Sequence, residues 1–256
     1  MKKILCNIFF LLILVFSLSS CLDSGVFTAT RSHYTPNFRE KRFHIDAGIA
    51  RAAGVSVNAG VAVSKKWAVV GSFYGNIAQL STQASQLNVL GAPIIYDVRK
   101  KGYATDIGAN FRIKGRKNLG FQMSSGVGIN DSECQSISKY SYEYNASKGF
   151  YWYLQPYMTG KLSEKIRYQF SYRFQNQLFN LNGEAFQSSN SSPISYAGRR
   201  SLAYHSLAMG IDISLYKQLS LGLQIGTEFS SNISLNNSRR SYDNSGWGKL
   251  GFQFAF

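Results

Sequence analysis

The sequence predicts an all-β fold: a closed, antiparallel, up-and-down transmembrane β-barrel of about ten strands, with eight as the alternative count. Three observations carry this. Beyond residue 42, every second residue is apolar through most of the chain, a period that gives a strand one oily and one polar face. Short connections alternate with long ones, the pattern of a barrel with tight turns at one end and extended loops at the other. The polar faces, finally, are made of small residues rather than charges.

The chain opens with Lys2 and Lys3, an apolar run from Ile4 to Phe16, and Leu18-Ser19-Ser20-Cys21. This is a secretion signal, too short and wrongly flanked for a spanning helix. Its last four residues resemble the lipobox of bacterial lipoproteins, and the resemblance makes Cys21 the acylated first residue of the mature chain. Residues 1–20 are then the signal. Residues 21–42 lack periodicity and hold Pro36, Arg39, Lys41 and Arg42, as suits an anchor and tether. Residues 43–256 form the barrel.

The expected strands are Phe43–Ala50, Gly54–Val63, Trp67–Ile77, Gly102–Ile113, Leu119–Asn130, Lys148–Leu162, Lys165–Gln177, Leu202–Tyr216, Gln218–Ser230 and Gly246–Phe256. The ninth is the clearest: Leu219, Leu221, Leu223, Ile225, Thr227 and Phe229 alternate with Ser220, Gly222, Gln224, Gly226 and Glu228. The sixth contains Pro156, which cannot donate to a ladder and predicts a bulge or weak point; the face taken by Tyr151, Tyr153 and Tyr157 is open. In the last, Leu250, Phe252, Phe254 and Phe256 alternate with Gly251, Gln253 and Ala255. That ending resembles the terminal signal that the outer-membrane insertion machinery reads.

Short links at Ser64–Lys66, Lys114–Asn118, Ser163-Glu164 and Lys217 alternate with long ones at Ala78–Lys101, Asp131–Ser147, Leu178–Ser201 and Ser231–Ser245. The first hairpin, Arg51–Ala53, is short where the scheme wants a long loop. An even strand number puts both barrel ends on the periplasmic side, in keeping with an anchor there.

Alternation alone does not say which face meets lipid. In the four cleanest strands the polar face holds 20 residues, of which 12 are Gly, Ala or Ser and four are charged. A soluble surface carries about 25–35% charge of both signs. Small residues suit a narrow lumen, so the apolar face is expected to meet lipid.

Carried through all strands, the alternation places His44, Asp46, Asp106, Arg112, Arg167, Arg173, Asp212, Glu228 and Lys249 on the lumen side. Charges in a narrow lumen are tolerable when paired, so a salt-bridge network is expected. Two readings compete: a plug of mutually satisfied charges, or a polar path for a small solute. Basic residues also gather where outer loops re-enter strands: Arg99, Lys100 and Lys101; Arg199 and Arg200; Arg239 and Arg240. They suit lipopolysaccharide phosphates or simple snorkelling at a membrane edge. The formal charge of +15 falls to +13 once a signal with two lysines and no acid is removed. In an exported chain this basic balance points to anionic lipid, not nucleic acid.

Little points to catalysis or to a cofactor. Metal-ligand spacings and phosphate-cradling loops are absent from the sequence. His205 and Ser206 are the one histidine and hydroxyl together near the outer leaflet, but neighbours on a strand face opposite ways. Cys134 is the sole thiol once Cys6 and Cys21 are accounted for, so an intramolecular disulfide is not expected.

From Leu18 onward the chain resembles uncharacterised lipid-anchored β-barrel proteins of Gram-negative bacteria and, more loosely, small OmpA/OmpX-type barrels. The resemblance rests on the lipobox, the Tyr34-Thr35-Pro36-Asn37 tether, a glycine-studded first hairpin and the Phe252, Phe254, Phe256 ending. It implies an outer-membrane barrel lipoprotein handled by the barrel-insertion and lipoprotein-sorting machineries, in a class whose members serve as adhesins, structural proteins, small channels and occasional enzymes; the role expected here is non-enzymatic, with a largely filled lumen, in envelope structure or surface interaction. The alternatives are a narrow pore and a lipid A-directed hydrolase.

Overall fold

The computed structural model describes residues 43–50, 54–87, 93–116, 119–138, 141–187, 194–231 and 245–255. The signal, Cys21, the tether, Arg239, Arg240 and Phe256 lie outside them. Ten strands form one closed barrel: β1 (Phe43–Ala50), β2 (Gly54–Ala62), β3 (Trp67–Leu87), β4 (Pro93–Arg116), β5 (Leu119–Ser138), β6 (Ser141–Lys161), β7 (Ile166–Gln187), β8 (Ile194–Ser214), β9 (Leu219–Ser231) and β10 (Ser245–Ala255). Each pairs antiparallel with its sequence neighbours, and β1 closes on β10 from His44↔Ala255 to Ala50↔Lys249. Closure leaves no edge strand to be capped.

The two faces have exchanged their usual roles. Ile107 and Val127 are 60% and 58% exposed, and Phe73, Phe150, Trp152, Met209, Phe252 and Phe254 also point outward. Ser124, Gln155, Gln177, Asn110 and Asn130 are buried inside. A band of large apolar side chains this continuous is stable against hydrocarbon and not against water. Tyr151, Tyr153 and Tyr157 all turn inward, which settles the face of β6.

Pro156 sits on the outer face without a bulge. Register is the same on either side of it, from Leu154↔Phe174 to Tyr157↔Ser171, and only the intervening ladder pairs are missing. Real shifts occur elsewhere: between Asn76 and Leu80 on β3, and between Arg112 and Lys114 on β4.

The largest departure from expectation is strand length. Much of what reads as long loops is sheet: β3 runs on to Leu87, β4 begins at Pro93, β5 and β6 nearly meet at Ser138 and Ser141, and β7 and β8 extend to Gln187 and from Ile194. The oily face stops where hydrocarbon stops, so period-two hydrophobicity ends while the hydrogen-bond ladder continues. β7 has 22 residues, about 70 Å along its axis at ~3.3 Å per residue and ~55 Å high at a tilt of roughly 40°, against an apolar band of about 25 Å. Above the band the outer face turns ionic, with Lys101–Glu133 at 2.8 Å and Lys148–Asp131 at 3.8 Å. β1 and β2 have only 8 and 9 residues. The barrel is therefore a tall wall of β3–β8 with a low side at β1–β2.

Candidate functional site: a charged, tyrosine-packed lumen

The nine residues expected in the lumen share one face, and the structure brings Arg173 to Asp106 and Lys249 to Asp46 as the centres of two clusters. In the first, Arg173 of β7 reaches across to Asp106 of β4, Nη2 donating to Oδ2 at 2.9 Å. The Tyr151 hydroxyl donates to the same oxygen at 3.2 Å. The guanidinium carbon lies 3.8 Å from the Tyr153 ring centroid and 6.0 Å from that of Tyr151. Arg173 is 1% exposed, and Tyr151 and Tyr153 are wholly buried. An arginine so deep is tolerable because a carboxylate neutralises it and an aromatic face stacks on it.

Glycine makes the room. A Cβ at Gly126 would run into the Ile107 carbonyl and the Gly108 backbone of β4 and sit 2.8 Å from the Tyr153 ring, and one at Gly128 would run into the Tyr151 ring and the Thr105 carbonyl. The small residues of β5 are thus seats for the bulky ones of β6.

The second cluster lies by the closing seam. Lys249 of β10 pairs with Asp46 of β1, whose Oδ2 also accepts from the Asn58 amide of β2 at 2.8 Å. One carboxylate so ties three adjacent strands across the first-to-last junction. Asp212 is met by Gln253, whose Nε2 donates to Oδ1 at 2.7 Å. Gly222, between them on β9, leaves the space for that reach. Arg167 stands opposite Asp212 in the β7–β8 register. His44 is buried at the seam, and Arg112 and Glu228 are half-buried. Tyr157 donates to Gln122 Oε1 at 3.1 Å, closing another row.

Sequence reasoning left the face of Tyr151 and Tyr153 open and did not place Asn58 or Gln253 in the charge network. The spacing of Gly126 and Gly128 opposite a tyrosine pair was the available signal. It needed the β5–β6 register, in which Gly126 meets Tyr153 and Gly128 meets Tyr151, to become readable.

Among the basic clusters, Arg99, Lys101 and Arg199 are exposed, and Lys101 is engaged by Glu133. The Lys100 and Arg200 backbones lie in β4 and β8. His205 turns to the outer face, its Nδ1 2.6 Å from the Tyr172 hydroxyl, while Ser206 is buried on the lumen side. Phe252 and Phe254 face outward in the apolar band.

No protein-family model matches the chain, and no curated protein matches it. Solved structures do. The outer membrane protease OmpT from Escherichia coli is similar at a TM-score of 0.55 and 8% identity, over 84% of this chain and 93% of that one. The translocator domain of the autotransporter NalP from Neisseria meningitidis gives 0.42 at 8% identity, over 84% and 86%. Acinetobacter baumannii CarO gives 0.35 at 12% identity, over 84% and 98%. At such identities the OmpT likeness is one of fold, and the fold is that of a ten-stranded outer-membrane β-barrel.

Proposed function

We propose that this protein is a non-enzymatic outer-membrane lipoprotein, anchored at Cys21, whose barrel is plugged and whose tall outer wall serves surface interaction or envelope structure. The single observation behind this is the fill of the lumen around Arg173, where Tyr151, Tyr153, Gln155 and Gln177 are inaccessible to water. A continuous water path would leave polar lumen atoms exposed, and a barrel of this strand number is narrow enough for side chains to fill. The apolar outer band and the fold support the membrane placement. The position of His205 supports a non-enzymatic reading, since its Nδ1 is engaged by Tyr172 and the adjacent hydroxyl faces the other way.

Planar-bilayer recordings of the purified protein test the plug: no steady current is expected, and stable unitary conductance would replace this reading with the narrow pore. Protease accessibility of the 178–201 segment on whole cells tests orientation. Altered lipid A composition in a His205→Ala strain would restore the hydrolase.

A further inference from the structure

Register lays the outer surface of β5–β8 out in rows. Ile129, Phe150 and Leu178 form one row across three strands, with Ile129 and Phe150 exposed in the apolar band. Two residues further up are Asp131, Lys148, Asn180 and Arg199; then Glu133, Ala146, Asn182 and Ala197; then Gln135, Tyr144, Glu184 and Ser195. The order is oily, basic, small, then aromatic and polar.

The two upper rows enclose a groove of about 320 Å³ lined by Tyr144, Asn182, Gly183, Glu184, Ser195 and Ala197. Its size falls within the range of small-ligand sites. Ala146 and Ala197 flank Asn182 and leave the depression, while Tyr144 walls it, diagonal to Glu133 across the β5–β6 pairing. Lys101 of β4 holds the Glu133 carboxylate beside it at 2.8 Å. The groove thus presents an aromatic ring, an amide, a carboxylate and a hydroxyl, a set that matches the apolar faces and hydroxyl edges of a sugar ring.

We propose that this groove binds the phosphorylated saccharide headgroup of an outer-leaflet glycolipid, the sugar lying against Tyr144 and Asn182 and its phosphate on Arg199. Arg199 is exposed, and among the described residues it has no ion-pair partner. Its guanidinium is suited to bidentate phosphate contact. Height selects the ligand: the basic row lies just beyond the hydrocarbon, and the groove lies on the order of 10 Å above that edge at ~3.3 Å per residue and barrel tilt. A headgroup whose acyl chains pack on Phe150 and Leu178 delivers phosphate to the first level and sugar to the second. This inference rests on the outer-leaflet placement proposed above.

The test uses the purified full-length protein in detergent, titrated with rough-type lipopolysaccharide, with lipid A lacking core sugars, and with dephosphorylated rough lipopolysaccharide. Tyr144→Ala and Asn182→Ala should each weaken rough lipopolysaccharide about tenfold and leave lipid A binding unchanged. Arg199→Ala should weaken both phosphorylated probes and have no effect on the dephosphorylated one. All three positions are on the outer wall, and an unchanged circular dichroism spectrum separates lost binding from lost fold. Equal affinity for lipid A and rough lipopolysaccharide would overturn the groove, as would wild-type binding by Tyr144→Ala. Detergent binding is indifferent to orientation in cells, so protease accessibility reports independently on the placement.

Discussion

Replacing Asp106 with alanine is the sharpest probe of the lumen. The side chain accepts from Arg173 at 2.9 Å and from Tyr151 at 3.2 Å, and Arg173 is 1% exposed. Its loss leaves a guanidinium buried without a counter-charge, which costs about 3–5 kcal/mol in comparable sites. The Tyr153 ring at 3.8 Å remains and retains an attraction of up to about 2 kcal/mol, so the lower half of that range is expected. Removing both charges, as Asp106→Ala with Arg173→Met, should recover most of the loss, because an apolar pair in the same volume is often neutral. Equilibrium urea unfolding in lipid vesicles, followed by tryptophan fluorescence, measures all four members of the cycle. A coupling of roughly 2 kcal/mol or more is expected. Should Asp106→Ala cost under about 1 kcal/mol, or should the double variant be additive, water reaches Arg173 and the plug does not exist.

Three further outcomes follow from other parts of the barrel. Lys249→Ala strands Asp46 at the seam and should destabilise by about 3 kcal/mol or more, with Lys249→Ala/Asp46→Asn partly restored; equal urea midpoints for the three proteins would refute the seam clamp. Gly126→Ala should cost about 1–3 kcal/mol by overpacking against the Ile107 carbonyl and Gly108 backbone of β4 and the Tyr153 ring, whereas outward Ser125→Ala should stay within about 0.5 kcal/mol; the same unfolding assay decides. The outer wall should also weaken in alkali. The hydrogen bond to Glu133 raises Lys101 above the ordinary 10.5, and burial, followed by the Glu133 charge, raises Tyr144 above 10.0. Groups raised on folding stabilise fully below their unfolded values, so this contribution is intact below about pH 10 and is lost as pH climbs through the folded values. The tyrosinate difference titration between wild type and Tyr144→Phe should therefore fall above pH 10 and move down in Glu133→Gln; a midpoint at or below the ordinary value would contradict it.

How much of this was readable in advance varies by element. In β9 and the membrane half of β8, alternation from Leu219 to Phe229 and from Leu207 to Ile213 is uninterrupted, because lipid on one side and lumen on the other constrain every position. Above the band that constraint lapses. Asn180 and Asn182 on the outer face of β7 read as loop, although backbone pairing with β8 continues through Ala185↔Ile194. At Pro156 the expected weak point is present without the bulge: the ladder pairs between Leu154↔Phe174 and Tyr157↔Ser171 are missing while the register is kept.

By itself the sequence determined parity. The period of two is a local property of a strand, and it was enough to put Asp46, Asp106, Arg173, Asp212 and Lys249 inside, and Phe252 and Phe254 outside. Partnership was decided only in three dimensions. Asp106 and Arg173 are 67 residues apart, on β4 and β7, and Asp46 and Lys249 are 203 apart, on the first and last strands. Which inward side chains meet depends on the tilt and stagger with which the strands close, quantities that belong to the cylinder and to no single strand.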